Sequence, residues 1–277
     1  MKRPIIILLM AVVLILALAA PTSAITNGTP DGDGHPYVGL LIFDVYVPDV
    51  GNVPAWRCSG SLISEYVVLT AGHCTDGAAA ARIWFDERLQ DDDGTFLVPD
   101  YPFGGVVAIE GTPYTNPDFA IGAGNGLPGF ALRDVGVVVL DEPVFMGEYA
   151  DLPEAGVVDG LRNKADLDLV GYGVQEQIHI PGEGAPFWTG LRNRLYAPAD
   201  FVSGNFKHAP EFVKATANPG GGTGGTCFGD SGGPVLLANT ATVLGVNSYV
   251  TNGNCAGVTY SSRVDIPEVL DWIYTFM

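Results

Sequence analysis

An all-β fold is predicted by three features of the sequence. Glycine (37) and proline (20) are abundant, the apolar residues fall into short runs between them, and helical spacing is scarce until the C-terminal segment. The runs are Tyr37–Phe43, Ser61–Leu69, Gly136–Leu140, Leu167–Gly171, Val235–Leu237 and Thr242–Tyr249. Short Val/Leu/Ile-rich runs bounded by turn residues read as strands of a barrel or sandwich. No repeat of fixed period is present.

The one helix signal lies at the end. Asp265 is placed to cap it, Pro267 is tolerated in a first turn, and Glu268 stands three residues after the cap, as in a capping box. Ile266, Val269, Trp272, Ile273 and Phe276 then recur at helical spacing, which predicts an amphipathic helix packed on the body. Two stretches read as long loops: the acidic Asp86–Gly94, with Asp86, Glu87, Asp91, Asp92 and Asp93, and the Gly-rich Phe119–Phe130. A boundary between two units is placed after Pro143, within Gly147–Gly160, giving residues 25–150 and 151–277.

Residues 1–24 are set apart from this fold. Met1, Lys2 and Arg3 precede an almost wholly apolar stretch from Ile5 to Ala20, and Thr22, Ser23 and Ala24 are small. That order predicts a secretory signal peptide, hence an extracellular protein or one of a periplasmic type of compartment. An uncleaved membrane anchor is the competing reading, although the apolar stretch falls short of the ~20 residues a spanning helix needs. The 13 basic residues face 31 acidic ones, for a formal net charge of −18. A chain this acidic repels nucleic acid and anionic lipid, so neither is expected as a partner once the leader is gone. The four cysteines, Cys58, Cys74, Cys227 and Cys255, suggest two disulfides in an exported chain, with three pairings open. Zinc competes for them, but the sequence has no close Cys-x-x-Cys pair.

Three strings carry chemistry. In Gly229-Asp230-Ser231-Gly232-Gly233-Pro234, glycines flank a serine. A serine hydroxyl is a weak nucleophile that needs a base and donors for the resulting oxyanion, and glycine lets backbone N–H groups approach a ligand. In Thr70-Ala71-Gly72-His73-Cys74, a histidine follows an apolar strand and neighbours a cysteine; a pinned loop is what a general base requires. His35, His179 and His208 have no comparable setting and are read as surface or structural. In Asp134-Val135-Gly136-Val137-Val138-Val139-Leu140, an aspartate heads a strongly apolar strand. A buried carboxylate is costly unless paired, and an imidazole is a suitable partner. Asp118 rivals it, but lacks a rigid strand behind it.

In the order His, Asp, Ser these strings resemble the chymotrypsin–trypsin family of serine proteases. Further matches are Ile25-Thr26-Asn27-Gly28, Pro36-Tyr37, Cys58-Ser59-Gly60-Ser61-Leu62, Pro113-Tyr114 with Asn116, Gly171-Tyr172-Gly173 and Val246-Asn247-Ser248-Tyr249. The resemblance implies two packed six-stranded antiparallel β-barrels and a C-terminal α-helix, with His73 and Asp134 in the first barrel and Ser231 in the second. It implies a Ser231 nucleophile, a His73 base oriented by Asp134, an oxyanion hole from the N–H groups of Gly229 and Ser231, and disulfides Cys58–Cys74 and Cys227–Cys255. Ser248 would support the triad, Tyr249 would wall the substrate, and Gly225 with Thr226 and Val250 would shape the pocket for the residue before the cut bond. Gly225 stands where trypsin-like members carry an Asp, so a basic preference is not expected and small-to-medium apolar residues are. Ile25 would supply a freed amine to pair with Asp230. Polypeptide substrates, protein protease inhibitors, a monomer and no cofactor are implied, with the Asp86–Asp93 loop as a place where some members bind calcium. Against the enzyme stands a catalytically silent binding protein of the same fold. An esterase is disfavoured, because the nucleophile lies outside a Gly-x-Ser-x-Gly elbow and the chain order differs.

Overall fold

The computed structural model describes residues 25–26, 28–105, 107–122, 131–179, 182, 187–204, 209–218 and 223–277. The expected signal peptide, Asn27, most of the Gly-rich stretch before Asp134, and His208 lie outside the described residues.

The first unit is a closed antiparallel barrel. Its strands follow β1 (Thr29–Pro30) and are β2 (Val38–Val47), β3 (Gly51–Ser64), β4 (Val67–Thr70), β5 (Ala80–Trp84), β6 (Ile109–Thr115) and β9 (Gly136–Leu140), in spatial order β2-β3-β4-β9-β6-β5. A one-turn helix, α1 (Gly72–Thr75), follows β4, and a small hairpin of β7 (Ala120–Ile121) and β8 (Ala131–Leu132) precedes β9. The first seven positions of β2 are buried, so its alternate side chains meet apolar surroundings on both faces. That is why this part of the sequence reads as a continuous apolar run rather than an alternating one. The run Ser61–Leu69 is not one strand. It turns at Glu65–Tyr66 between β3 and β4, which then pair with each other.

The second unit contains β10 (Asp166–Gly171), β13 (Leu195–Asp200), β14 (Phe212–Ala217), β15 (Pro234–Leu237), β16 (Val243–Val250) and β17 (Gly257–Arg263); β11 (Glu176–Ile178) and β12 (Phe187–Thr189) form a separate hairpin. The sheet order is β1-β13-β10-β15-β16-β17-β14. It has seven strands because Thr29–Pro30 crosses over to pair with Leu195–Tyr196 and caps an edge. The sheet curls until Phe201, just beyond β13, bridges Ala215 on β14, an isolated bridge rather than a full ladder, so the sheet is a half-barrel.

Buried polar side chains join the two units. Arg194 is 2% exposed and donates to Asp31, to the carbonyls of Gly32, Val38 and Phe85. Tyr172 Oη donates to the carbonyls of Val38 and Asp86.

The C-terminal helix, α2 (Pro267–Tyr274), buries Val269, Leu270 and Ile273, but Ile266, not Asp265, is its N-cap and no side chain caps it. The Asp265 carboxylate is taken: it accepts from the Arg263 guanidinium and from the N–H of Val158. Three donors thus hold this fully buried carboxylate away from a capping role.

Candidate active site

His73 sits in α1, directly after β4, and four contacts fix that turn. Cys74 is bonded to Cys58 on β3, and the Cys74 carbonyl accepts from Trp56 Nε1 at 2.8 Å. Thr75 Oγ1 donates to Gly72 O at 3.0 Å and meets Thr115 Oγ1 at 2.8 Å. Asp134 is fully buried at the head of β9, after Arg133 with φ +51°. Its Oδ1 accepts the His73 backbone N–H at 2.7 Å, and its Oδ2 lies 2.8 Å from His73 Nδ1. Ser248 Oγ donates to the same Oδ2. Burial works against the imidazolium, but the hydrogen bond and charge of Asp134 outweigh it and hold the His73 pKa above its ordinary 6.5. An Nδ1–H donated to Asp134 leaves Nε2, which lies 3.7 Å from Cys74 Sγ, as the ring nitrogen that can accept a proton.

The Ser231 loop is fixed by its backbone. Gly229 and Gly232 have φ +97° and +77°, a region closed to most side chains. Gly232 N–H donates to Asn247 O at 2.8 Å and Asn247 N–H donates back to Gly233 O at 2.9 Å. Asn247 Nδ2 holds Asp230 O at 3.2 Å. From the first barrel, Ser59 N–H donates to Ser231 O at 2.7 Å, and Ser59 Oγ donates to Gly229 O at 3.0 Å while accepting Tyr172 N–H at 3.0 Å. A side chain on Gly232 would collide with Thr70 Oγ1 and with the Ser59 carbonyl. The serine loop is thus pressed against the segment that leads into His73. The N–H groups of Gly229 and Ser231 have no acceptor among the described residues, which leaves both donors available.

Beside Ser231 lies a pocket of about 180 Å³, lined by Thr226, Cys227 and Phe228 on one side and by Asn247, Ser248, Tyr249 and Val250 on the other. None of these side chains is charged. The Cys227–Cys255 disulfide stands behind it with Val174 and Val250 packed nearby. Tyr249 is stacked 4.9 Å from Tyr260 and meets Phe212 edge-on. Gly225 does not itself line the pocket. Its N–H and C=O pair with Thr26, and a side chain there would collide with Ala217.

Ile25 is internal in this uncut chain, so its nitrogen is an amide. It is buried among Leu167, Leu169, Leu195 and Ala197, at φ +44°, an uncommon angle for a β-branched residue. Asp230 lies fully buried and accepts N–H groups of Gly173 and Cys227, each at 2.8 Å. Burial pushes its pKa up to about 7, against the pull of those two N–H groups and of Arg57.

His35 is bound to Asp31 and stacked on Tyr196, while His179 is exposed. The four cysteine sulfurs are spent in disulfides, which removes the thiolates zinc would need. In the acidic loop, Asp91 and Asp93 accept from Thr95, and Asp92 pairs with Arg88. The sequence did not single out Ser59, Asn247, Phe228 or Arg57. Ser59 and Asn247 sat inside matching strings, but only the strand register shows that they brace the serine loop.

The Trypsin family model matches residues 44–273. Venom serine protease Bi-VSP of Bombus ignitus is 28% identical over 236 residues; the match covers 81% of this chain and 60% of the length of that protein. Chymotrypsin-like elastase family member 1 of Homo sapiens is 29% identical over 208 residues, 72% of each chain. Among solved structures, HL collagenase superposes with a TM-score of 0.63 at 20% identity, over 87% of this chain and 93% of that one, and so shares the fold.

Proposed function

Because the chain belongs to the trypsin/chymotrypsin-like serine protease family, we propose that it is a secreted endopeptidase working through a Ser231 acyl-enzyme. The observation that carries this reading is the Asp134–His73 pair at 2.8 Å, with Ser248 on the same carboxylate and the Ser231 loop braced against Thr70. Ser231 Oγ attacks the scissile carbonyl while His73 Nε2 takes its proton. The oxyanion is held by the N–H groups of Gly229 and Ser231, a contribution of about 3–4 kcal/mol for each donor of this kind. His73 then protonates the leaving amine, and water, deprotonated by His73, releases the acyl group and restores Ser231. Asp134 keeps the required tautomer and stabilises the imidazolium. No step calls for a cofactor; in the acidic loop, Asp91, Asp92 and Asp93 bond with Arg88 and Thr95, and Asp86, Glu87 and Gln90 are held by the second unit and Gly32.

The unit of residues 25–150, with its closed barrel, supplies His73 and Asp134, and the unit of residues 151–277, with its curled sheet, supplies Ser231. Secretion is supported by two disulfides, which persist in oxidising compartments. Cleavage before Ile25 would release an amine next to the Thr26–Gly225 bridge, and we infer that it turns to the buried carboxylate of Asp230, which forms no ion pair among the described residues. The φ of Ile25 is strain that such a cut would relieve. A monomer acting on polypeptides, and blocked by protein inhibitors that present a substrate-like loop, completes the reading.

The residue before the cut bond is small or medium and apolar. An uncharged pocket of about 180 Å³ supports this, since an unpaired guanidinium buried there would be penalised by several kcal/mol. Profiling the secreted protein against a peptide library is expected to show cleavage after residues such as Ala, Val or Leu. Efficient cleavage after Arg or Lys would overturn the preference, and no cleavage by folded, Ile25-terminated protein would favour the binding-protein alternative.

A further inference from the structure

Two arginines, Arg57 beside Gly229 and Arg192 in the loop before β13, have no part in the chemistry above. Arg57, on β3 immediately before Cys58, lays its guanidinium over Gly229: a Cβ on that glycine would fall 2.9 Å from Nε and 3.0 Å from Nη2. Its Nη1 is buried without a hydrogen-bond partner among the described residues. Arg192 lies between β12 and β13 and is anchored to the first barrel, where Leu89 N–H donates to its carbonyl at 3.1 Å and its own N–H donates to Gln90 Oε1 at 2.7 Å. Its Nη1 donates to Gly190 O at 2.8 Å, while its Nε is buried and unpartnered among the described residues. Ion pairs among those residues engage Arg82, Arg88, Arg133, Arg194 and Arg263, but neither Arg57 nor Arg192.

The two cations feel each other. Burial, and then the charge of Arg192, push the Arg57 pKa down to about 10. The nearby Asp230 carboxylate is committed to the N–H groups of Gly173 and Cys227. In a chain with 31 acidic and 13 basic residues, carboxylates are plentiful, yet neither arginine is in ion-pair contact with one among the described residues. Burying a cation is unfavourable unless an anion meets it, and the planar guanidinium fork matches a carboxylate.

Location says which anion. Arg57 is not among the residues lining the apolar pocket. It reaches Gly229 from the strand whose Cys58 is bonded to the residue after His73, and His73 is the group that hands a proton to the departing amine. We propose that Arg57 and Arg192 form a subsite for a carboxylate in the leaving half of the substrate: an Asp or Glu side chain within the first few residues after the cut bond. The subsite rests on the protease reading and adds to it a preference that the apolar pocket does not supply.

The test uses peptides amidated at the C-terminus, with one fixed apolar residue before the bond and Asp, Glu, Ala or Lys at each of the next three positions. At one position the acidic peptide should be cut about ten- to a hundredfold better in kcat/KM than its Ala counterpart, the range for a hydrogen bond to a charged group. The acid-to-Ala ratio should shrink with added salt and fall towards unity in Arg57→Met with Arg192→Gln, with Arg57→Lys keeping part of it. Equal rates for acidic and Ala peptides at all three positions, or a ratio that the double variant leaves unchanged, would overturn the subsite. If no peptide is cut, the protease reading fails on its own. Peptide binding to Ser231→Ala, titrated by fluorescence, then still decides whether acidic peptides bind more tightly through these arginines, and equal binding of acidic and Ala peptides would refute it.

Discussion

Asp134 has no exposed surface, and among the described residues no cation pairs with it except His73. Its value to the reaction is therefore directional. It accepts the hydrogen bond from Nδ1–H and raises the imidazole's basicity, so the rate should climb as pH rises through a His73 pKa above 6.5. Asp134→Asn leaves the burial of the ring in place while removing the charge that outweighs it. The pH–rate profile of that variant should shift its rising limb to lower pH, with kcat reduced by about 10⁴, the effect of the wrong tautomer in a triad of this kind. An unmoved limb would mean that His73 is not the titrating base. At this scale the sequence is most legible where a residue sits in a distinctive string, as Ser231 and His73 do. Asp134 was readable from an aspartate at the head of an apolar strand. Arg57 was not: nothing in its own neighbourhood distinguishes it, and its place over Gly229 arises from a fold contact 172 residues along the chain.

The element that matters most is the turn from β4 into α1. Four residues make too short a helix to be stable by itself, so the disulfide, the Trp56 bond and the Thr75 pair hold it. Replacing Cys58 and Cys74 together by Ser opens a crosslink of sequence separation 16, which should lower the unfolding free energy by about 3 kcal/mol. Denaturant unfolding measures that loss. The same variant should lose kcat more than it raises KM, because it loosens the base rather than the pocket; a change in KM alone would contradict that assignment. Strands were legible as elements because apolar runs between turn residues leave few other options. Their ends were less so: Ser61–Leu69 is continuous in hydropathy and yet turns at Glu65–Tyr66. Asp265 looked like a helix cap because spacing alone cannot show that Arg263 and Val158 already use its oxygens.

Across the whole molecule, Arg194, Tyr172 and Ser59 tie one unit to the other, and Asp230 is the buried group proposed to pair with a freed Ile25 amine. In the uncut chain the Asp230 pKa is raised from 3.8 to about 7. The folded state then holds a proton that the unfolded state has lost, so stability should decline as pH rises from about 4 to about 7. Thermal unfolding of the uncut chain across that range should show the decline, and Asp230→Asn should flatten it. Protein that begins at Ile25 should lack the decline as well, because a new amine pairs with the carboxylate; an identical slope in the cut and uncut forms would argue against that pairing. The closed first barrel and the curled second sheet were legible only through resemblance. Hydropathy reports which strands are buried, not which neighbours close a ring, and the crossover of Thr29–Pro30 onto Leu195–Tyr196 depends on contacts far apart in sequence.

The central claim, that Ser231 is a nucleophile activated by His73, is tested most directly by reacting the folded, Ile25-terminated protein with a fluorophosphonate and locating the adduct by mass spectrometry. One adduct per chain is expected, on Ser231, and it should vanish in His73→Ala while the fold is retained. Absence of reaction in folded protein, or an adduct on another serine, would contradict the claim.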